Sequence, residues 1–98
     1  MYTKVYSIHS DPEKRDQLLA HYDSVIVPAI RDSDHHVGHH MVEVAEGNYL
    51  LASIYRSAEA AEAAAPMVRE LVAPMSDLFD MTLDVIGEGE TVRDLTKA

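Results

Sequence analysis

Four of the six histidines in this 98-residue chain lie within six positions, as His35-His36 and His39-His40, with Tyr55 fifteen residues further on and His9 well upstream. An unperturbed imidazole titrates near pH 6.5, so a histidine held beside a bound molecule can take a phenolic proton from it at neutral pH. A tyrosine next to it would hold the resulting oxygen by hydrogen bond. The plainer reading, histidines at a strand entrance that are merely solvated, stays open at this level. A metal site is not expected: His36 and His40, or His35 and His39, are four apart, which along a strand is about 13 Å, and zinc usually takes three or four rigidly held ligands. No cofactor is expected either. No Gly-rich phosphate loop and no G-x-S-x-G nucleophile motif is present, so kinase, nucleotide and serine-hydrolase readings have no support.

These side chains must be positioned by a hairpin. Gly47-Asn48 separates two apolar-rich runs, and such a pair supplies the backbone angles of a two-residue turn, so strands are expected at about His36–Ala45 and Tyr49–Arg56. That turn would place Val44 opposite Leu51, Val42 opposite Ser53 and His40 opposite Tyr55, with His36 on the same face. The candidate catalytic group is therefore His36, His40 and Tyr55. Val42, Val44, Leu51 and Ser53 are candidate substrate contacts, joined by His9 if the polar side of the first strand faces the same cavity. Neither face of the hairpin is cleanly polar, which suggests that helices cover one and a second copy of the chain the other.

The rest of the chain supplies those helices. Tyr2 to His9 alternates as a strand. Asp11-Pro12-Glu13 reads as a helix start, and Leu18, Tyr22, Val25 or Ile26, and Ala29 or Ile30 form one apolar stripe, with Pro28 expected to kink or loosen the last turn. Ser57 caps a second helical stretch, where Pro66 is expected to divide two segments. Asp80 to Ile86 alternates again, and Gly87-Glu88-Gly89-Glu90 is expected to end that strand. The order strand, helix, strand, strand, helix, strand predicts an α+β, ferredoxin-like βαββαβ domain with a four-stranded antiparallel sheet over residues 1–87, followed by a polar tail, 88–98.

Composition narrows the partners. With 8 basic against 17 acidic residues the net charge is −9, which repels nucleic acid and anionic membranes. No apolar run approaches the roughly 20 residues of a membrane span. The chain has no cysteine and its start lacks the apolar core of a signal peptide, so a soluble cytoplasmic protein is expected. A domain this small gains useful core by dimerising.

Four segments carry a likeness to known proteins: Val27-Pro28-Ala29-Ile30-Arg31, His35-His36-Val37-Gly38, Ile54-Tyr55-Arg56-Ser57-Ala58-Glu59-Ala60-Ala61, and Leu71-Val72-Ala73-Pro74. Over roughly Met1 to Gly87 the chain resembles the antibiotic-biosynthesis-monooxygenase-like branch of the dimeric α/β-barrel proteins. The resemblance implies a homodimer with a cavity in each subunit. It also implies cofactor-independent oxygenation of a small aromatic or polyketide-like substrate, whose anion passes an electron to O₂ in an apolar cage. Members usually enter the second strand with Pro-Gly-Phe; here His36 stands where the aromatic would, and Tyr55 stands where Trp is common. Haem-degrading relatives use an Asn in the first strand and a Trp and a His in the second helix. This chain has no Trp, no Asn before Asn48 and no His after His40. The alternatives are a non-catalytic dimer that binds a small ligand or serves stress response, and a haem- or metal-binding protein.

Overall fold

The computed structural model describes residues 1–97. Four strands, β1 (Tyr2–His9), β2 (His36–Ala45), β3 (Asn48–Tyr55) and β4 (Thr82–Glu90), form one antiparallel sheet in the order β2-β3-β1-β4. Helices cover one face, giving the expected ferredoxin-like architecture. None of the described helices is long and apolar enough to cross a membrane.

The first helical segment starts where Asp11 accepts the Glu13 amide at 3.0 Å and Pro12 occupies the first position. A 3₁₀ turn (Pro12–Lys14) leads into α1 (Arg15–His21), a π-helical turn (Tyr22–Ile26) and α2 (Val27–Asp32). Pro28 has no N–H to offer the Ser24 carbonyl, so an α-helical ladder cannot be completed there. The chain widens into the π turn just before the proline, one turn earlier than the loosening expected at the helix end.

Helix α3 (Ala58–Phe79) is capped by Ser57, whose hydroxyl accepts the Ala60 amide at 3.0 Å. It passes through Pro66 and Pro74 without a break, which corrects the expectation of two segments. An interior proline costs about 3 kcal/mol, but α3 buries Ala61, Ala64, Met75 and Phe79 against the sheet, and each large apolar side chain buried contributes about 1.5–3 kcal/mol. Together with the partly buried Leu71 and Val72, this docking offsets the two defects. The main core joins Tyr6, Ile8, Leu18, Ile26, Tyr49, Leu51, Met75, Phe79 and Met81, while a smaller cluster seats Tyr55 against Ala61 and Ala64.

Two further expectations are corrected. β4 continues through Gly87 and Gly89 to Glu90, which pairs with Tyr2. The hairpin turns at Glu46-Gly47 rather than Gly47-Asn48. Gly47 has φ +75°, and a Cβ there would lie 2.8 Å from the Ser10 carbonyl oxygen; the Gly47 carbonyl in turn accepts the Ser10 amide at 2.9 Å. Only glycine meets both requirements, so the turn is anchored to it.

Candidate active site

Register decides which histidines face the helices. The pairs are His36 with Tyr55, His39 with Ser53, His40 with Ala52, Met41 with Leu51 and Val42 with Leu50, and the ladder shifts between His36 and Gly38 and again between Glu43 and Ala45. Val37 and Val44 are the extra residues at these two irregularities, and each is more than half exposed. A slip of one residue sends a strand's side chains to the opposite face. As a result His36, His39 and Met41 share the helix-covered face with Leu51, Ser53 and Tyr55. His40 and Val42 lie on the bare face with Ala52 and Leu50, and Val44 projects from a bulge. The expected set of His36, His40 and Tyr55 is thus divided: His36 and Tyr55 meet, with ring centroids 4.5 Å apart, and His40 is on the other side of the sheet. His9 does not join them; it is exposed at the end of β1, its Nδ1 3.0 Å from the Asn48 side-chain oxygen.

Between sheet and helices lies a cavity of about 50 Å³. Its floor includes Tyr6, His36, His39, Leu51, Ser53 and Tyr55, and its roof is made by Leu18, Tyr22, Ile26, Ile30, Val68, Leu71, Val72 and Met75. The walls are almost entirely apolar, so a polar atom on them has few partners to choose from.

His36 illustrates this. Its Nδ1 lies 2.8 Å from the Ser33 hydroxyl, which also accepts the His35 amide at 3.2 Å. Its Nε2 is buried and has no hydrogen-bond partner. Burial, and then the nearby His35, hold the imidazole below its usual pKa, so the ring is neutral at pH 7. Leaving a buried polar atom unpaired costs about 1–3 kcal/mol, and such an atom calls for an explanation in a bound partner or a catalytic role.

His39 is the opposite case, with both nitrogens engaged. Nε2 is hydrogen-bonded to the Tyr22 hydroxyl and Nδ1 lies 3.3 Å from Ser53 Oγ. Burial first, then His36 and His40, push its pKa down to about 4. Burial also raises the Tyr22 phenol well above its usual range, and raises Tyr6, where the neighbouring Tyr55 adds to the effect. Every group around the cavity with a displaced pKa is displaced toward its neutral form.

Tyr22, Ser33 and His39 are absent from the candidates read in the sequence. Tyr22 was assigned to an apolar stripe, where its hydroxyl was the available signal: a buried tyrosine needs a polar partner. His39 was hidden by the bulge at Val37, and Ser33 carries only ordinary turn chemistry. Among the described residues no cluster of three or more histidine or carboxylate ligands occurs.

No family model matches the chain, and no curated protein matches it in sequence. Solved structures do match. A protein from Deinococcus radiodurans, crystallised as a candidate antibiotic biosynthesis monooxygenase, superposes with a TM-score of 0.77 at 16% identity, over 100% of this chain and 99% of that one. The fold is that of the antibiotic biosynthesis monooxygenase-like proteins. A dimeric ferredoxin-like protein from an uncultured marine organism shares this fold with a TM-score of 0.74 at 10% identity, over 98% of each chain. The haem-degrading MhuD of Mycobacterium tuberculosis, solved with two haems in its active site, shares it with a TM-score of 0.67 at 18% identity, over 98% of this chain and all of that one. At such identities the monooxygenase-like likeness is one of architecture.

Proposed function

We propose that the protein is a cofactor-independent oxygenase of a small aromatic or polyketide-like substrate, acting in the cavity between its sheet and helices. The observation that carries this reading is the unpartnered, buried Nε2 of His36, a residue that lines an apolar chamber beside Tyr55. A neutral imidazole there can take a proton from an activated ring position, one adjacent to a ketone or phenol. The resulting carbanion passes one electron to O₂, and the two radicals combine to form a C–O bond. The proton returned by His36 gives a hydroperoxide. Loss of the second hydrogen with cleavage of the O–O bond then yields a carbonyl and water, so that a methylene plus O₂ becomes a ketone plus water. The substrate supplies all the electrons. General base catalysis of the first step is worth about 10²–10⁴-fold.

A volume of about 50 Å³ is small beside the roughly 150 Å³ of an apolar cavity that takes benzene. A ring therefore enters only if the roof moves outward. The roof is where helical hydrogen bonding is weakest: the π turn carries Tyr22 and Ile26, and Val68, Leu71 and Val72 lie between Pro66 and Pro74. Wide helical turns of this kind occur frequently at functional sites.

Haem would need the roof to move much further than a single ring does, since the cavity is below the approximately 300–1,000 Å³ of pockets for drug-sized ligands; α3 offers neither His nor Trp and both nitrogens of His39 are occupied, which leaves His36 Nε2 as the free imidazole nitrogen on the lining. We further propose that the working unit is a homodimer joined through the bare sheet face, where Val42 is 55% and Leu50 40% exposed; a neighbour named as dimeric supports it. Absence of cysteine suits a reducing cytoplasm.

Oxygen uptake with anthrone- and quinol-type compounds tests the reading. Wild type should consume one O₂ per methylene oxidised, and His36→Ala should lose at least about a hundredfold in rate. Uptake that survives His36→Ala, or none with any such compound, overturns it. Retention of an apolar molecule without uptake would reassign the cavity to a non-catalytic ligand-binding protein.

A further inference from the structure

Three side chains from three elements make a single line of hydrogen bonds into the cavity. Tyr22 on the π turn contacts His39 Nε2 on β2, with the two rings stacked at 5.7 Å between centroids and 26° between planes. His39 Nδ1 reaches Ser53 Oγ on β3 at 3.3 Å. Ser53 is only 2% exposed and lines the cavity. A neutral imidazole has one N–H and one lone pair, so such a line has a direction. In one sense Tyr22 donates to Nε2, and Nδ1–H donates to Ser53; in the other, Ser53 donates to Nδ1, and Nε2–H donates to Tyr22. A phenol is the stronger donor and, with its lone pairs drawn into the ring, the weaker acceptor of the two hydroxyls. This selects the first direction, which leaves the Ser53 O–H as the free proton at the end of the line.

We infer that Tyr22 and His39 are positioning residues that fix the Ser53 hydroxyl as a hydrogen-bond donor to an oxygen of the bound substrate, which is therefore a ring carrying a ketone or phenol oxygen. This rests on the oxygenase reading for the reaction but not for the binding. Ser53 and His36 flank Tyr55 and His39 on the same floor. An oxygen held by Ser53 accumulates negative charge as His36 removes the proton, and a donor aimed in advance stabilises that charge most in a site without water. His36 supplies the base and Ser53 the donor. Neither role requires a second chain.

The probe is 4-nitrophenol, whose visible absorbance reports how much of the bound form is ionised. Burial pushes a bound phenol toward its neutral form, as it does Tyr6 and Tyr22, and the Ser53 donor offsets part of that, so Ser53→Ala should reduce the wild-type ratio of ionised to neutral probe about tenfold, the effect of one lost donor. Tyr22→Phe should reduce it less, and adding it to Ser53→Ala should change nothing more. His39→Leu should match Ser53→Ala, whereas His39→Gln, whose amide can accept from Tyr22 and donate to Ser53, should restore most of the ratio. An unchanged ratio in Ser53→Ala, equal loss in His39→Gln and His39→Leu with both variants folded by circular dichroism, or no binding of 4-nitrophenol at millimolar concentration overturns the inference. Oxygen uptake that is insensitive to all these variants overturns it and leaves the oxygenase reading intact. Dependence on Ser53 without any oxygen uptake upholds it and removes the oxygenase.

Discussion

Two histidines with ring centroids 6.4 Å apart differ in that one has a free nitrogen and the other has none. His39 is held neutral by burial, with a pKa near 4 against about 6.5 in the unfolded chain. Its folded pKa is depressed, so between those values the unfolded state binds the extra proton, and stability falls as pH falls from above 6.5 toward 4. The expected loss between pH 7 and pH 5 is roughly 2 kcal/mol from His39, with His36 acting in the same direction. Urea unfolding at the two pH values checks this: the wild-type midpoint should drop, and His39→Gln should drop by distinctly less. Comparing the two proteins cancels the relief of repulsion among the acidic groups, which acts oppositely. At this scale the placement of His36 and Tyr55 on one face was legible in the sequence, because both the expected and the observed register keep them together. His39 was not, because adjacent histidines at 39 and 40 are interchangeable until a bulge is known.

The helices hold up the roof of the cavity, and the same two prolines that weaken it were legible while their effect was not. The sequence predicts a break at Pro66, but docking of Ala61, Ala64, Met75 and Phe79 keeps α3 continuous. Local preference lost to packing. The hairpin failed for a related reason: β2 offers Val42 and Val44 on one alternation and Met41 on the other, so hydrophobicity does not choose the face, and the turn and bulges do. Pro66 and Pro74 are both exposed, so replacing them removes no core contact. Pro66→Ala with Pro74→Ala should return donors to the carbonyls of Glu62 and Glu70. Relief of the interior-proline cost, about 3 kcal/mol at each site, exceeds the about 0.4–1 kcal/mol lost through a freer unfolded chain. Thermal unfolding should shift upward. If a ring enters by moving this roof, 4-nitrophenol should associate several-fold more slowly with the stiffened protein in stopped-flow absorbance, its bound ionisation ratio unchanged. Equal or faster association would mean that the ring enters elsewhere.

For the molecule as a whole, the proposed function assigns chemistry to the helix-covered face of the sheet and assembly to the bare one. The sequence placed His36, His40, Val42, Val44, Leu51, Ser53 and Tyr55 on a single face of the hairpin, because the turn expected at Gly47-Asn48 fixes that alternation. In the structure Leu51, Ser53 and Tyr55 point to the chain's own helices, while Val42, Leu50, Ala52 and His40 lie on the face left bare. Exposed apolar surface of this kind marks an interaction site, and a face used twice by a two-fold pair must complement itself. Leu50→Lys would set two charges against apolar partners there. Sedimentation velocity should give a mass of twice 10.9 kDa for wild type and a single chain for the variant. The variant's unfolding temperature should fall, since subunit association stabilises the folded form by mass action. His40→Ala should weaken association and also lift one of the causes that lower the His39 pKa. The cavity is lined by one chain, so the Leu50→Lys monomer should still ionise 4-nitrophenol with a ratio within a few-fold of wild type. A monomer that folds but no longer ionises the probe would show that the second copy completes the site after all.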